Sequence, residues 1–168
     1  MRQIFLPDGW TVLLCFLLWP LMQVLISWMC LKIPDHCYHP EGFWFRTHKW
    51  EQGGEFYHRV FRVRKWKERL PDGGRTFKDG YRKKRLTERT EKNLQKFLLE
   101  SCRAELSHGL AILPFWVFGF FAPAIIIPIM FVYAVMINGP CIIAQRFNRP
   151  RIQRMLERIR VPKPQIPD

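Results

Sequence analysis

The sequence lacks any C-x-x-C pair, and its five cysteines are an odd number. A disulfide framework needs paired cysteines, so we predict free thiols in a reducing setting. His36, Cys37 and His39 form a short H-C-x-H cluster. No fourth ligand stands at a suitable spacing, so no metal site is predicted. The cysteines are Cys15, Cys30, Cys37, Cys102 and Cys141.

Several catalytic fingerprints are missing as well. The chain has no nucleophile elbow, no P-loop, no dinucleotide-binding glycine motif and no zinc-protease helix. The H-x-x-x-x-D acid–base pattern of common glycerolipid acyltransferases is absent too, because the fifth residue after His108 is Leu113. These absences exclude the commonest hydrolase, kinase and dehydrogenase classes.

Acidic residues are scarce: 14 Asp and Glu stand against 27 Lys and Arg, for a net charge of +13. Such a charge suits nucleic acid or an anionic surface. No zinc-finger spacing or helix-turn-helix pattern is present. Basic residues beside apolar runs commonly set membrane topology and contact anionic lipid, so we predict a membrane surface and no nucleic acid.

Two apolar runs, Trp10 to Ile33 and Leu110 to Ile143, predict a membrane protein. The first can cross a hydrocarbon core of about 30 Å as one helix. It has no small-residue cleavage site, which favours a retained span over a signal peptide. The second is too long for one upright crossing and a little short for two. Pro114, Pro123 and Pro128 break its hydrogen-bond ladder, and Gly119 and Pro123 offer a turning point.

We therefore predict an all-α integral membrane protein. Its fold class is one N-terminal transmembrane helix, a basic cytoplasmic helical segment, and a proline-broken transmembrane hairpin or re-entrant pair. The positive charge places the bulk of the polar residues in the cytoplasm and makes the protein multi-pass in the cell membrane. The predicted segments are 1–33, the basic interfacial part 34–109, the hairpin 110–143 and the basic tail 144–168.

Three helices are predicted outside the apolar runs. Phe56, Val60, Val63 and Leu70 recur at helical spacing between basic residues, and Pro71 would end this helix. It either lies on an anionic leaflet or packs within its own domain. A second helix begins near 87–90 and runs through His108. A third is predicted to begin near Pro150.

The densest ionisable cluster beside an apolar wall is the segment from Glu100 to His108. Residues three or four apart are neighbours on a helix, so Glu105 meets His108 and Glu100 meets Arg103. Glu105 can then orient His108 and raise its basicity, as a general base requires. The same four residues also fit two structural ion pairs that close a helix at the membrane surface, and the residues alone leave both interpretations open.

The segment that follows the second apolar run combines cations and amides. Arg holds phosphate or carboxylate with two parallel hydrogen bonds, so a phosphate-bearing acyl donor or an anionic headgroup would suit it. Topological anchoring explains the same residues. The candidate binding residues are Asn138, Gln145, Arg146, Asn148, Arg149 and Arg151.

Several phrases resemble the glycosyl-4,4'-diaponeurosporenoate acyltransferase family, small bacterial membrane enzymes of staphyloxanthin-type carotenoid synthesis. The resemblance covers nearly the whole chain, although family members tend to have Trp where this chain has Gly109. The phrases are Ile33-Pro-Asp35, Phe61-Arg-Val-Arg-Lys-Trp-Lys67, Leu70-Pro-Asp-Gly73, Glu100-x-x-Arg-Ala-Glu-x-x-His108, Ile112-Leu-Pro114 and Asn138-x-Pro-x-Ile-Ile-x-Gln-Arg-Phe-Asn-Arg-Pro-Arg151.

The resemblance implies transfer of a fatty acyl group to a sugar hydroxyl of a glycosylated carotenoid. We expect acyl-CoA as co-substrate, no bound cofactor, and Arg146, Arg149 and Arg151 on the donor phosphates. Arg103 or Asn148 would stabilise the oxyanion. Membrane lipid is an expected partner, and a membrane protein or a second copy of the chain is another. Two other hypotheses stay open: a non-enzymatic membrane scaffold or accessory subunit, and a metal-dependent intramembrane hydrolase.

Overall fold

The computed structural model describes residues 2–70 and 90–160. Within these residues the fold is helical, without a strand, and it divides into two compact units. One unit is Met1–Cys37 with Arg103–Ile142, and the other is Tyr38–Cys102 with Ile143–Asp168. The α-helices are α1 (Asp8–Lys32), α2 (Glu55–Phe61), α3 (Val63–Trp66), α4 (Glu91–Ile112) and α5 (Ile126–Arg160), and the 3-10 segments are Asp35–Cys37, Lys49–Gly54, Lys67–Arg69 and Leu113–Phe120.

Helices α1 and α5 are each long and apolar enough to cross a membrane. Many large apolar side chains of α1 are exposed, Phe16 at 74% and Leu21 at 62% among them. The all-helical class and the first apolar helix are therefore confirmed. The hairpin or re-entrant arrangement and the four predicted segments stay predictions.

The predicted interruption of the second apolar run lies between α4 and α5. Residues 121–125 form no helix. The backbone N–H groups of Gln3 and Ile4 both donate to the carbonyl of Phe120, at 2.8 and 3.0 Å. Arg2 Nε donates to the carbonyl of Phe121 at 2.9 Å. Carbonyls released where a helix ends need such partners, so residues 2–4 stabilise the break.

An aromatic cluster forms the core of the first unit. Trp19 packs against Phe118 with ring centroids 6.1 Å apart and meets Tyr133 edge-on at 5.2 Å. Ala134 is fully buried in the same cluster, where its small side chain leaves room for the rings. The indole of α1 therefore joins the 3-10 segment that follows α4 to the first turns of α5.

The prediction of a separate helix beginning near Pro150 is wrong. Helix α5 continues unbroken from Ile126 through Pro140 and Pro150 to Arg160. A proline inside a helix costs about 3 kcal/mol. On either side of Pro150, however, the side chains of Phe147, Ile152 and Leu156 are buried. Tertiary packing of an apolar face supplies most helix stability in proteins, and here it outweighs the loss of a backbone bond.

The predicted single helix over Phe56 to Leu70 is also wrong. Arg62 has φ 51°, in the left-handed region, and its N–H ends α2 on the carbonyl of His58. A new helix, α3, begins at the next residue, Val63. The buried apolar side chains are Tyr57 and Val63, which pack with Phe147 in the second unit. The interpretation of a segment packed within its own domain is supported, and the predicted end at Pro71 lies outside the described residues.

Helix α4 begins where the pattern predicted. Thr90 is its N-cap: the Thr90 carbonyl accepts from Leu94, and its Oγ1 accepts from the Asn93 N–H at 3.4 Å. Such a side-chain cap satisfies one of the unpaired donors at a helix start. Leu94, Phe97 and Leu98 then face Ile152 and Leu156 in a second apolar cluster.

Two glycines provide a matched test of the backbone. Gly54 has φ 93°, and an added Cβ would lie 2.8 Å from the Phe147 carbonyl oxygen, whereas nothing lies within 4 Å of a Cβ on Gly109. Gly54→Ala should lower stability by at least about 1 kcal/mol. Gly109→Ala, inside α4, should raise it by about 0.5–1 kcal/mol. Thermal unfolding followed by circular dichroism in detergent measures both, and shifts of the same sign would contradict the expected difference between the two positions.

Candidate functional site

Helix α4 carries the four ionisable residues predicted to do chemistry. Glu100, Arg103 and Glu105 are buried, and His108 is half-buried. In the first unit Arg103 forms an ion pair with Asp35, whose carboxylate is largely exposed. Sequence reasoning quoted Asp35 only as part of a motif, and no local pattern indicated this long-range pair.

The polar side chains of α1 and α4 form a ladder in the first unit. Gln23 Nε2 donates to the carbonyl of Ala111 at 3.0 Å. One helical turn on, Ser27 Oγ lies 3.1 Å from Ser107 Oγ. Between apolar helices such bonds keep polar groups satisfied and fix the register of the pair. They hold the last two turns of α4, which carry His108, against α1.

Asn138 on α5 is the described partner of the His108 ring. Its Oδ1 lies 2.9 Å from His108 Nδ1. Asn138 is 1% exposed, and its Nδ2 donates to the Ala134 carbonyl one turn earlier at 3.0 Å. The Ala134 bond fixes which end of the amide is oxygen, because a carbonyl accepts only from the NH₂ group.

This geometry assigns the tautomer of His108. An amide oxygen cannot donate, so His108 Nδ1 must carry the proton. In the neutral ring the lone pair then lies on Nε2. A general base needs this arrangement, in which one nitrogen is held and the other accepts a proton. Sequence reasoning placed Asn138 among the substrate-binding residues and expected Glu105 to orient the ring, and the role of Glu105 stays a prediction.

In the second unit Arg149 is buried at 1% exposure. Its Nη1 donates to the Phe45 carbonyl at 2.6 Å, and its Nη2 contacts the Ser101 carbonyl and hydroxyl at 3.3 and 3.4 Å. The guanidinium also lies over the Phe45 ring, 5.6 Å from the centroid. These contacts join the loop at Phe45, α4 and α5, so Arg149 holds the unit together.

Arg146 is engaged in a similar way. It donates to the carbonyls of Trp44 and Arg46 at 2.7 and 3.2 Å and lies 3.5 Å from Glu51 Oε1. Glu51 is fully buried and accepts from Tyr57 Oη at 2.5 Å. Sequence reasoning missed Glu51. Glu41 and Glu55 stand in the same aromatic-rich segment, and no local pattern set Glu51 apart from them.

The remaining predicted binding residues lie on the same stretch of α5. Asn148 Oδ1 accepts from Lys67 Nζ at 3.0 Å. Arg151 Nη2 donates to Glu55 Oε1 at 2.5 Å. Gln145 is half-buried, and none of the described residues donates to its buried Oε1. Asn148 and Arg151 therefore belong to one polar cluster with Glu55 and Lys67.

Two groups of that cluster have shifted pKa values. The hydrogen bond from Arg151 lowers the pKa of Glu55. Partial burial lowers the pKa of Lys67, and the positive charges of Arg151 and Arg64 add to this effect. A lysine pKa falls when its surroundings disfavour the charged form, and here burial is the larger cause and the neighbouring arginines the smaller one.

Across 2–70 and 90–160, no three His, Cys, Asp or Glu side chains come together in an arrangement that could hold a metal ion. The H-C-x-H cluster at His36, Cys37 and His39 lies within the part searched.

Comparisons with known proteins identify the class as an acyltransferase. A family model described as "Glycosyl-4,4'-diaponeurosporenoate acyltransferase" matches residues 41–158. Relatives of that name in Staphylococcus aureus strains bovine RF122 / ET3-1, MRSA252 and USA300 are each 33% identical over 146 residues, which is 87% of this chain and 88% of the relative. The chain belongs to the glycosyl-4,4'-diaponeurosporenoate acyltransferase family. No solved structure matches it.

The tautomer of His108 is testable without any substrate. In protein labelled with ¹⁵N-histidine, two-bond ¹H–¹⁵N correlation spectra should show His108 protonated at Nδ1 in the neutral ring. Asn138→Leu, which removes the acceptor at similar volume, should shift the proton to Nε2 in part of the molecules. Asn138→Asp keeps an acceptor oxygen and should preserve the Nδ1–H form.

Ser107→Ala is the matched control, since it breaks a neighbouring bond of α4 and leaves the ring partner in place. His108→Gln assigns the signal among the five histidines. The assignment is contradicted if the neutral His108 ring of the wild type carries its proton on Nε2. It is also contradicted if Asn138→Leu leaves the tautomer of His108 unchanged.

Proposed function

We propose that the protein transfers a fatty acyl group from an acyl thioester to a hydroxyl of a glycosylated lipid acceptor. The relatives' name supports a glycosyl-4,4'-diaponeurosporenoate as that acceptor. The observation that carries the proposal is the His108–Asn138 pair, which fixes the proton of the neutral ring on Nδ1 and so puts the lone pair on Nε2. O-acyl transfer requires such a base, because a neutral hydroxyl is a weak nucleophile.

The proposed reaction has two steps. Nε2 of His108 takes the proton as the acceptor oxygen attacks the thioester carbonyl, and a tetrahedral oxyanion forms. The carbon–sulfur bond then breaks, and the proton on His108 passes to the leaving thiolate. The products are an ester and a free thiol. Because the ring returns to its neutral form, the protein needs no further reagent.

Glu105 and Arg103 have supporting roles in this proposal. Glu105 lies one turn before His108 on α4 and stabilises the imidazolium that forms during attack. Arg103, held by Asp35, is the cation that stabilises the developing oxyanion. Glu100, buried three residues before Arg103, stays a candidate catalytic residue, and we assign it no step of its own.

We place the protein in the cell membrane, with the bulk of its polar residues cytoplasmic. The exposed apolar side chains of α1 support this, because in water each would leave a large apolar surface uncovered. A lipid environment also suits both substrates, since an acyl chain and a carotenoid-like acceptor partition into it. The donor is proposed to be acyl-CoA, which is soluble, so donor and acceptor meet at the membrane surface.

Substitution of His108 tests the role of the base. His108→Ala should lower the transfer rate at least about a hundredfold, the usual contribution of a positioned general base. The assay is acyl transfer by purified protein in detergent, with the ester identified by lipid mass spectrometry. Near-wild-type turnover with intact folding would remove His108 from the mechanism.

His39→Ala is the control, because His39 is an exposed histidine outside the spans. It should retain wild-type turnover.

Activity of the purified chain also decides between an enzyme and an accessory subunit, since a scaffold would be inactive alone. Metal analysis of active protein decides the hydrolase alternative.

A further inference from the structure

Three cationic side chains of the second unit converge on one carboxylate and one ring. Arg64 Nη2 and Arg151 Nη2 both contact Glu55 Oε1, at 3.3 and 2.5 Å. Arg151 lies over the Phe147 ring at 3.6 Å, and Lys67 Nζ lies 5.1 Å from the same ring centroid. Arg64 and Lys67 come from one local run, through α3 and the 3-10 segment after it, and the fold brings Arg151 of α5 to them.

The charges of this cluster do not balance. The two arginines share a single carboxylate oxygen, and among the described residues Lys67 hydrogen-bonds to the neutral Oδ1 of Asn148. Glu68 acts on Lys67 in the opposite sense, but the positive charges and partial burial prevail. Three cations thus face two acids. Elsewhere in the unit Arg160 and Glu91 pair one to one at 2.8 Å.

The arginines of the cluster also differ from the buried Arg149 in accessibility. Arg149 is 1% exposed and is committed to carbonyl and hydroxyl oxygens of its own unit. The side chains of Arg64 and Arg151 are 55% and 24% exposed. A ligand from solvent can therefore reach Arg64 and Arg151, and it cannot reach Arg149 in this conformation.

We propose that Arg64, Lys67 and Arg151, with the amide of Asn148, form a phosphate-binding site. The guanidinium groups offer paired donors to phosphate oxygens, and Lys67 adds a point charge. Asn148 accepts through Oδ1, which leaves its Nδ2 to donate. The interpretation of this phosphate as part of the acyl donor rests on the proposed function. The same chemistry would take the headgroup phosphate of an anionic lipid.

The cluster is costly without its ligand. Holding three cations close together lowers stability, and burial of Lys67 adds to the cost. Protein sites often sacrifice stability for binding in this way. Removal of one charge should therefore weaken phosphate binding while leaving the melting temperature unchanged or higher, a combination that a purely structural lysine would not give.

The test uses the full chain purified in detergent, with coenzyme A as the probe in isothermal titration calorimetry. Pantetheine, the same thiol carrier without phosphates, measures the contribution of the phosphates. Lys67→Met should weaken coenzyme A binding about tenfold, as expected for loss of one charge-assisted contact. Glu55→Gln removes the competing carboxylate and should strengthen it. Arg160→Gln is the charge-matched control and should change it less than twofold.

A second arm separates the two sources of phosphate. The protein is placed in nanodiscs of phosphatidylcholine with or without phosphatidylglycerol, and its melting temperature is measured. Stabilisation by phosphatidylglycerol that Lys67→Met abolishes, without an effect on coenzyme A, assigns the site to a lipid headgroup. The reverse result assigns it to the donor. Either result supports a phosphate site.

The proposal is overturned if Lys67→Met and Arg160→Gln have equal effects on coenzyme A binding and on stabilisation by phosphatidylglycerol. It is also overturned if Lys67→Met lowers the melting temperature of the protein. Neither result depends on turnover. Loss of acyl transfer in His108→Ala with normal coenzyme A binding concerns the base alone. Conversely, an active enzyme in which Lys67→Met leaves the response to both probes normal would refute this site and leave the acyltransferase assignment intact.

Discussion

A polar group on an apolar helix must find a partner within the protein, because a lipid-like surrounding offers none. This constraint organises the first unit. Gln23 hydrogen-bonds to the carbonyl of Ala111, and Ser27 hydrogen-bonds to Ser107. The side-chain amide of Asn138 donates to the carbonyl of Ala134 and accepts from His108. The bonds that satisfy these groups also set the register of α1 and α4 and the protonation of the imidazole. The packing of these helices and the tautomer assigned to His108 therefore depend on the same interactions.

Local signals predicted the parts of the fold that are locally determined. The apolar run after Trp10 indicated α1, the threonine before a periodic stripe indicated the start of α4, and the prolines indicated the break before α5. Arg62 and Pro150 were misjudged for the opposite reason. Arg62 has no sequence signal for a left-handed conformation, and Pro150 is carried through α5 by apolar contacts distant in sequence. Tertiary packing decided both.

The candidate site shows the same division. Spacing alone put Glu105 and His108 on one turn, but it could not reveal Asn138 as a partner thirty residues away. Composition alone left two interpretations open for the arginines after the apolar run, phosphate binding and topological anchoring. It could not tell the buried Arg149 from Arg151, which shares its carboxylate with Arg64 from another helix. Burial and long-range partners, which sequence does not display, separate arginines that build the unit from those that face solvent.

The hydrogen bonds from residues 2–4 to the carbonyls of Phe120 and Phe121 have a consequence for biosynthesis. A ribosome adds about 5–20 residues per second. Residues 2–4 are therefore synthesised roughly 6 to 24 s before these acceptors. During that interval Arg2 can donate to the nearby carbonyls of Ile4 and Leu6, which it also contacts in the folded protein. Bulky additions ahead of Arg2 would then impair assembly of the break far along the chain, although they lie next to none of the residues proposed for catalysis.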